Sequence, residues 1–289
     1  MKISGNCVFA AGLFFAVNFL IACSDGTNHK ITELPIPEGP GYLPIASAQI
    51  SLPPDVGAPL NFGLFDLATV GYEEQEYFIS GTASAFTNLN ELGSDGFWDV
   101  EAAEQAAYTT RVLVRRPTDS AKFNGSVLVE WLNVSSGFDT APEWDNGHVE
   151  LVRQGYAWVG ITAQFVGVYG RTGGIVPLHL KAFGPVRYAE VEHPGDSFSY
   201  DIFSQLAQAI RVPGELDLLN GLNPEYLIGS GDSQSAFRLT TYVNAIHPLY
   251  NPYDGYLINS RASSSTPLAQ DPQVEISVPS EVFFRTDLN

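Results

Sequence analysis

A chain of 289 residues with 45% apolar side chains is long enough to bury the core of one large α/β domain or two small ones, which excludes a disordered or fibrous protein. Against 14 Lys and Arg stand 32 Asp and Glu, a net charge of −18 that repels nucleic acid and anionic membrane surfaces. The charge is spread along the chain, as on a solvated acidic surface, and does not define a substrate.

The first stretch differs from all that follows. Lys2 precedes an apolar run from Val8 to Ile21, too short to span a bilayer and of the length of a signal-peptide core. It ends Leu20-Ile21-Ala22-Cys23, which resembles the lipobox of bacterial lipoproteins. That resemblance implies removal of residues 1–22, lipid attachment to the Cys23 thiol and, from Ser24, an exported lipoprotein of the periplasm or cell surface held at the outer membrane. Membrane contact is then expected only through this anchor. Cys7 leaves with the leader, so no disulfide forms within the mature chain. Residues 23–46, with Pro35, Pro37, Gly39, Pro40 and Gly41, read as a flexible tether, and residues 47–289 as the folded domain.

Within that domain the pattern starts loosely, with a strand at Glu76–Ser80 and turn chemistry around Gly93–Gly96. Runs rich in β-branched and aromatic residues then predict strands at Thr110–Arg115, Ser126–Val134 and Tyr156–Ala163, the last two apolar enough to be buried on both faces. A helix over His148–Gln154 closes on Gly155. Another, from Ser197 to Arg211, lines up Phe198, Ile202, Leu206 and Ile210 before Pro213-Gly214. Glu225–Gly229 reads as a strand, followed by a helix from Gln234 to about Ile246 with Ala236, Leu239, Val243 and Ile246 facing inward. Tyr256–Asn259 and Glu281–Arg285 are predicted as further strands. Such alternation implies an α/β domain with a mainly parallel sheet and helices on both faces.

Gly231-Asp232-Ser233-Gln234-Ser235 sits where a buried strand turns directly into a helix, the setting of a nucleophile elbow. Small residues two places either side of the serine let strand and helix close up, and the helix N-terminus favours developing negative charge. Ser235 stands where glycine is usual. A second copy of the pattern, Gly195-Asp196-Ser197-Phe198-Ser199, follows Glu192-His193-Pro194 rather than a strand, and is read as a helix cap with Asp196 or Ser197 holding the first amides. For an oxyanion hole the Gln234 amide is one donor, and Asn133 or Val134, after the strand from Ser126, is the candidate for the other. Asn133 could equally make a plain turn by bonding its own backbone.

At these residues the chain resembles the bacterial α/β-hydrolase-domain proteins that carry an SQS nucleophile motif and a VEWLNV strand. The matching pieces are Gly71-Tyr72 through Gly81-Thr82-Ala83-Ser84, Thr110-Arg111 through Arg116-Pro117, Val129-Glu130-Trp131-Leu132-Asn133-Val134, Gly155-Tyr156-Ala157-Trp158-Val159-Gly160, His193-Pro194-Gly195-Asp196, and Asp232-Ser233-Gln234-Ser235. The resemblance implies an α/β-hydrolase fold and serine hydrolase chemistry on a small-molecule ester, with Ser233 as nucleophile and Asp287 in the place of the orienting acid. Family members are longer. The five histidines, His29, His148, His179, His193 and His247, all precede Asp287, so the catalytic imidazole is expected beyond residue 289 and the chain as it stands is expected to be a nearly inactive, C-terminally incomplete piece. His193 is a substitute base only if its loop folds over Ser233, and His247-Pro248 is read as ending the helix behind the serine. No metal or organic cofactor is expected, since His and Cys are sparse and no dinucleotide or P-loop fingerprint occurs. The competing expectation is a non-catalytic surface lipoprotein binding carbohydrate or protein through aromatics such as Trp131, Trp144 and Tyr169.

Overall fold

Residues 41–60, 63, 65–172, 177–269 and 278–288 are described by the computed structural model. The apolar leader, Cys23 and His29 lie outside them, as does most of the tether. The central strands owe their place to two uninterrupted apolar runs: β4 (Ser126–Trp131) and β5 (Ala157–Ile161) pair in parallel, and β6 (Tyr226–Asp232) and β7 (Gly255–Asn259) extend the parallel half on the other side of β4. The remaining strands are antiparallel: β1 (Gln49–Ser51), β2 (Tyr72–Asn88) and β3 (Val100–Pro117), with β3 joining β5. The sheet order is β1-β2-β3-β5-β4-β6-β7.

The β2–β3 hairpin runs much farther than the two short strands expected there. Its half from Glu101 to Ala107 is a largely exposed Glu-Ala-Ala-Glu-Gln-Ala-Ala stretch whose residue types prefer helix. The ladder to Thr82–Asn88 overrides that preference. Glu73 and Glu74 stand directly opposite Arg116 and Arg115 and form ion pairs with them at 2.9 and 2.7 Å.

Helices cover both faces. On one lie α4 (Ser199–Arg211) and α5 (Gln234–Thr241), burying Ile202, Leu206, Ile210, Leu239 and the aromatic group Trp131, Phe203, Tyr242 and Tyr253. On the other lies α1 (Pro142–Gln154), over Leu113, Leu128, Leu132 and Trp158. Arg115 stacks its guanidinium on both Trp144 and Trp158, 4.6 and 4.7 Å from the ring centroids. Gly155 ends α1 in a left-handed conformation, φ 78°, where a β-carbon would strike the Lys122 carbonyl.

α1 starts one and a half turns before the expected His148, because its cap is not local. Ala141 offers no side-chain acceptor. The Glu130 carboxyl reaches up from β4 instead, accepting from the Glu143 and Trp144 amides at 2.9 and 3.1 Å and from the Trp158 indole at 2.8 Å. Burial outweighs these three donors and pushes the Glu130 pKa up to about 8.

The helix behind Ser233 also runs past the expected end. After α5 it widens into a π-helical turn, Tyr242–Ile246, and continues as α6 (His247–Tyr250). Pro248 cannot donate to the Asn244 carbonyl, and Arg285 Nη1 donates to that oxygen at 3.1 Å. His247 caps nothing with its ring: Nδ1 meets the Tyr256 hydroxyl at 2.8 Å, and burial, then the Arg285 charge, pulls its pKa down to about 4. Glu281–Arg285 is not a strand. Side chains occupy its backbone acceptors, Asn244 Nδ2 bonding the Phe283 carbonyl and Arg261 the Val282 carbonyl.

Candidate active site

β6 lies between β4 and β7 and runs straight into α5, so the sharp turn between them is forced by the topology. Ser233 occupies it at φ 52° and ψ −110°, a backbone conformation L-residues rarely adopt, and its side chain is exposed. Three contacts hold the strained residue. The Ser233 amide donates to the Asn259 carbonyl at 3.0 Å, tying the turn to the end of β7. Asn133 Nδ2 donates to the Asp232 carbonyl at 2.8 Å, tying it to the loop after β4. Ser235 Oγ both accepts from the Asp232 amide and donates to the Asp232 carbonyl, each at 3.0 Å. A glycine at 235 would lack that brace. Gly231 is needed for closeness: a β-carbon there would stand 3.0 Å from Leu239 Cδ1 and from the Ser235 backbone.

The Gln234 amide heads α5, where helix geometry offers it no intrahelical acceptor and no side chain caps it. Of the two candidate partners, Asn133 donates its amide to the Thr140 carbonyl at 2.9 Å, within a bridge that closes the 133–140 loop, and so is engaged. The Val134 amide faces the elbow, donating to the Gln234 side-chain oxygen at 3.3 Å. Gln234 Nε2 in turn donates to Gln164 Oε1, which also accepts from the Trp131 indole.

The second Gly-Asp-Ser segment is built differently from the expected cap. Neither the short 3-10 turn Asp196–Phe198 nor α4 has a side-chain N-cap. Asp196 instead pairs with the buried Arg238 guanidinium at 2.7 Å and accepts the Phe165 amide, the first of α2 (Phe165–Tyr169), at 2.7 Å. A charged pair outcompetes an amide on its own helix.

Asp287 is not brought to Ser233. It chelates Arg285 at 2.6 and 2.7 Å, and Arg285 sits on Asn244, eleven residues along the helix and hence roughly 15 Å from the elbow. Among the described residues no histidine bonds Ser233. His193 is buried with both ring nitrogens taken, Nε2 by the Ala163 carbonyl at 2.9 Å and Nδ1 by the Gly195 amide at 3.2 Å, and burial lowers its pKa. His179 is bonded to the Val168 carbonyl and His148 to the carbonyls of its own helix. Trp131 and Trp144 are core residues and line no surface site.

Two carboxyls beside the elbow escaped the sequence reading. Glu130 had a signal, a charge in the middle of an apolar strand run. Glu143 had none, since nothing local shows that α1 begins there. It is only 7% exposed, accepts a hydrogen bond from the Asn259 side chain and faces Asp232.

A family model described as the alpha/beta hydrolase domain matches residues 32–289. The chain belongs to that family. No curated protein matches its sequence. Among solved structures, oligopeptidase B from Trypanosoma brucei is 14% identical over 67% of this chain and 21% of its own, with a TM-score of 0.34. A glucuronoyl esterase from Teredinibacter turnerae is 13% identical over 78% of this chain and 47% of its own, at 0.33. An acetyl xylan esterase from a Paenibacillus species is 14% identical over 75% and 54%, at 0.31. The chain therefore spans between a fifth and about half the length of these structures.

Proposed function

We propose that this hydrolase-family chain is a carboxylic ester hydrolase with Ser233 as its nucleophile. The observation that carries the reading is the exposed Ser233 held at φ 52° between a paired central strand and the helix behind it. Its oxygen forms a bond to the ester carbon, the proton passes to an imidazole and then to the departing alcohol, and water releases the acyl group in a second step. The Gln234 and Val134 amides hold the oxygen that becomes negative, on condition that the Gln234 carboxamide leaves the Val134 amide as substrate arrives. The imidazole and its acid partner are not among the described side chains around Ser233, and Asp287, chelated by Arg285, is not carried forward as that acid. The lipobox-like Leu20-Ile21-Ala22-Cys23 supports an exported, lipid-anchored form.

The test, on a form of the protein that carries the imidazole serving Ser233, is covalent labelling with a fluorophosphonate followed by peptide mapping. The label is expected on Ser233 and is lost in Ser233→Ala. Equal labelling of that variant ends the proposal.

A further inference from the structure

Glu143 projects from the first turn of α1 toward the elbow and is covered from three sides. Glu130 of β4 holds its backbone amide, Asp232 at the end of β6 faces its carboxyl, and Asn259 at the end of β7 donates to it. Its Oε1 is buried without a hydrogen-bond partner, and no cation is paired with it among the described residues. Asn259 is also the residue whose carbonyl receives the Ser233 amide at 3.0 Å. One residue thus connects a buried carboxyl to the strained turn. The Asp232 carboxylate is committed elsewhere, accepting from Ser260 Oγ at 2.7 Å.

We propose that Glu143 is a positioning residue for the Ser233 elbow, acting through its hydrogen bond with Asn259. The functional meaning rests on the reading of Ser233 as a nucleophile, but the mechanical link does not. Two carboxylates in one partly dry site cannot both be charged without strain. Burial, followed by the Asp232 charge, raises the Glu143 pKa to about 7. The sign follows: the folded chain holds a proton there that the unfolded chain has lost above its ordinary 4.5, so the contribution is full at acidic pH and is lost as pH rises through about 7. Glu130, raised to about 8, titrates nearby and is present in every variant compared.

The experiment is hydrogen exchange of the Ser233 amide in the intact chain, taken as the ratio of wild type to Glu143→Gln so that intrinsic base catalysis cancels. The ratio is expected to be near one below about pH 4.5, to rise about five-fold or more as pH climbs toward about 7, and to level off above that. A second pair, Asn259→Ala with and without Glu143→Gln, is expected to exchange alike at every pH, and it decides the matter should the single Gln variant not fold. A ratio that does not change with pH, or a pH effect that survives Asn259→Ala, overturns the inference. Fluorophosphonate labelling rates taken on the same samples are expected to follow the same ratio. Failure to label at any pH of a form that carries the imidazole serving Ser233 would remove the hydrolase reading and leave the exchange comparison standing.

Discussion

The chain contains the pattern Gly-Asp-Ser-x-Ser twice, and the two copies have opposite fates. In Gly231–Ser235 the backbone of Asp232 and Ser233 is laced to three elements, the middle serine is forced to φ 52° and its oxygen faces outward. In Gly195–Ser199 the glycine takes the unusual angle, φ 126°, the middle serine is buried, and the aspartate side chain leaves its own segment to neutralise Arg238. Five letters do not define an elbow. What precedes them does: a strand paired on both sides for the one, His193-Pro194 for the other.

Parallel substitutions in the two copies put that contrast at risk, and the largest difference is in reactivity. In a form that carries the imidazole serving Ser233, Ser233→Ala is expected to lower ester hydrolysis or phosphonate labelling by on the order of 10⁴-fold, while Ser197→Ala stays within about three-fold. Similar losses in both would mean that the elbow has been assigned to the wrong copy. The aspartates should reverse the order in stability. Asp196→Ala removes the carboxylate paired with a guanidinium that is 3% exposed and is expected to cost about 3 kcal/mol in urea unfolding, against about 1 kcal/mol for Asp232→Ala, whose carboxylate accepts from the Ser260 hydroxyl. Among the glycines, Gly231→Ala presses a methyl onto the Ser235 backbone and is expected to cost about 2 kcal/mol, while Gly195→Ala enters open space and bears only the conformational term of about 1 kcal/mol. The last serines differ least. Ser235→Ala removes two bonds within the elbow, for about 1 kcal/mol, whereas Ser199 Oγ is buried without a partner, so Ser199→Ala is expected to be neutral or slightly stabilising in the same denaturant series.

What could be read from the residues divides along the range of the interactions. The apolar runs of β4 and β5, the stripe of α4 and the strand-to-helix turn at Ser233 are local, and each stands where periodicity put it. The start of α1 was hidden because its cap comes from Glu130 in the sheet, and the length of β3 because pairing overrode a helix-favouring composition. The placement of Ser233 and Gln234 at the turn from strand into helix was legible from one pentapeptide and the run before it. The choice between the Asn133 and Val134 amides was not, because it depends on a bridge from Thr140. Asp287 was placed by the family resemblance and by its position after a predicted strand, and neither says anything of an arginine two residues away that takes both its oxygens.

The proline at 248 has a consequence for how this chain tolerates change. A helix that gives up one of its own donors becomes dependent on a guest, and here the guest is Arg285, arriving from a distant stretch of the chain. The two positions are coupled: losing the arginine removes a donor from the same continuous helix that begins at the elbow, and replacing the proline by alanine supplies a backbone N–H at the same turn. A mutational route through this fold that removes the arginine is therefore expected to open more easily after the proline has gone than before.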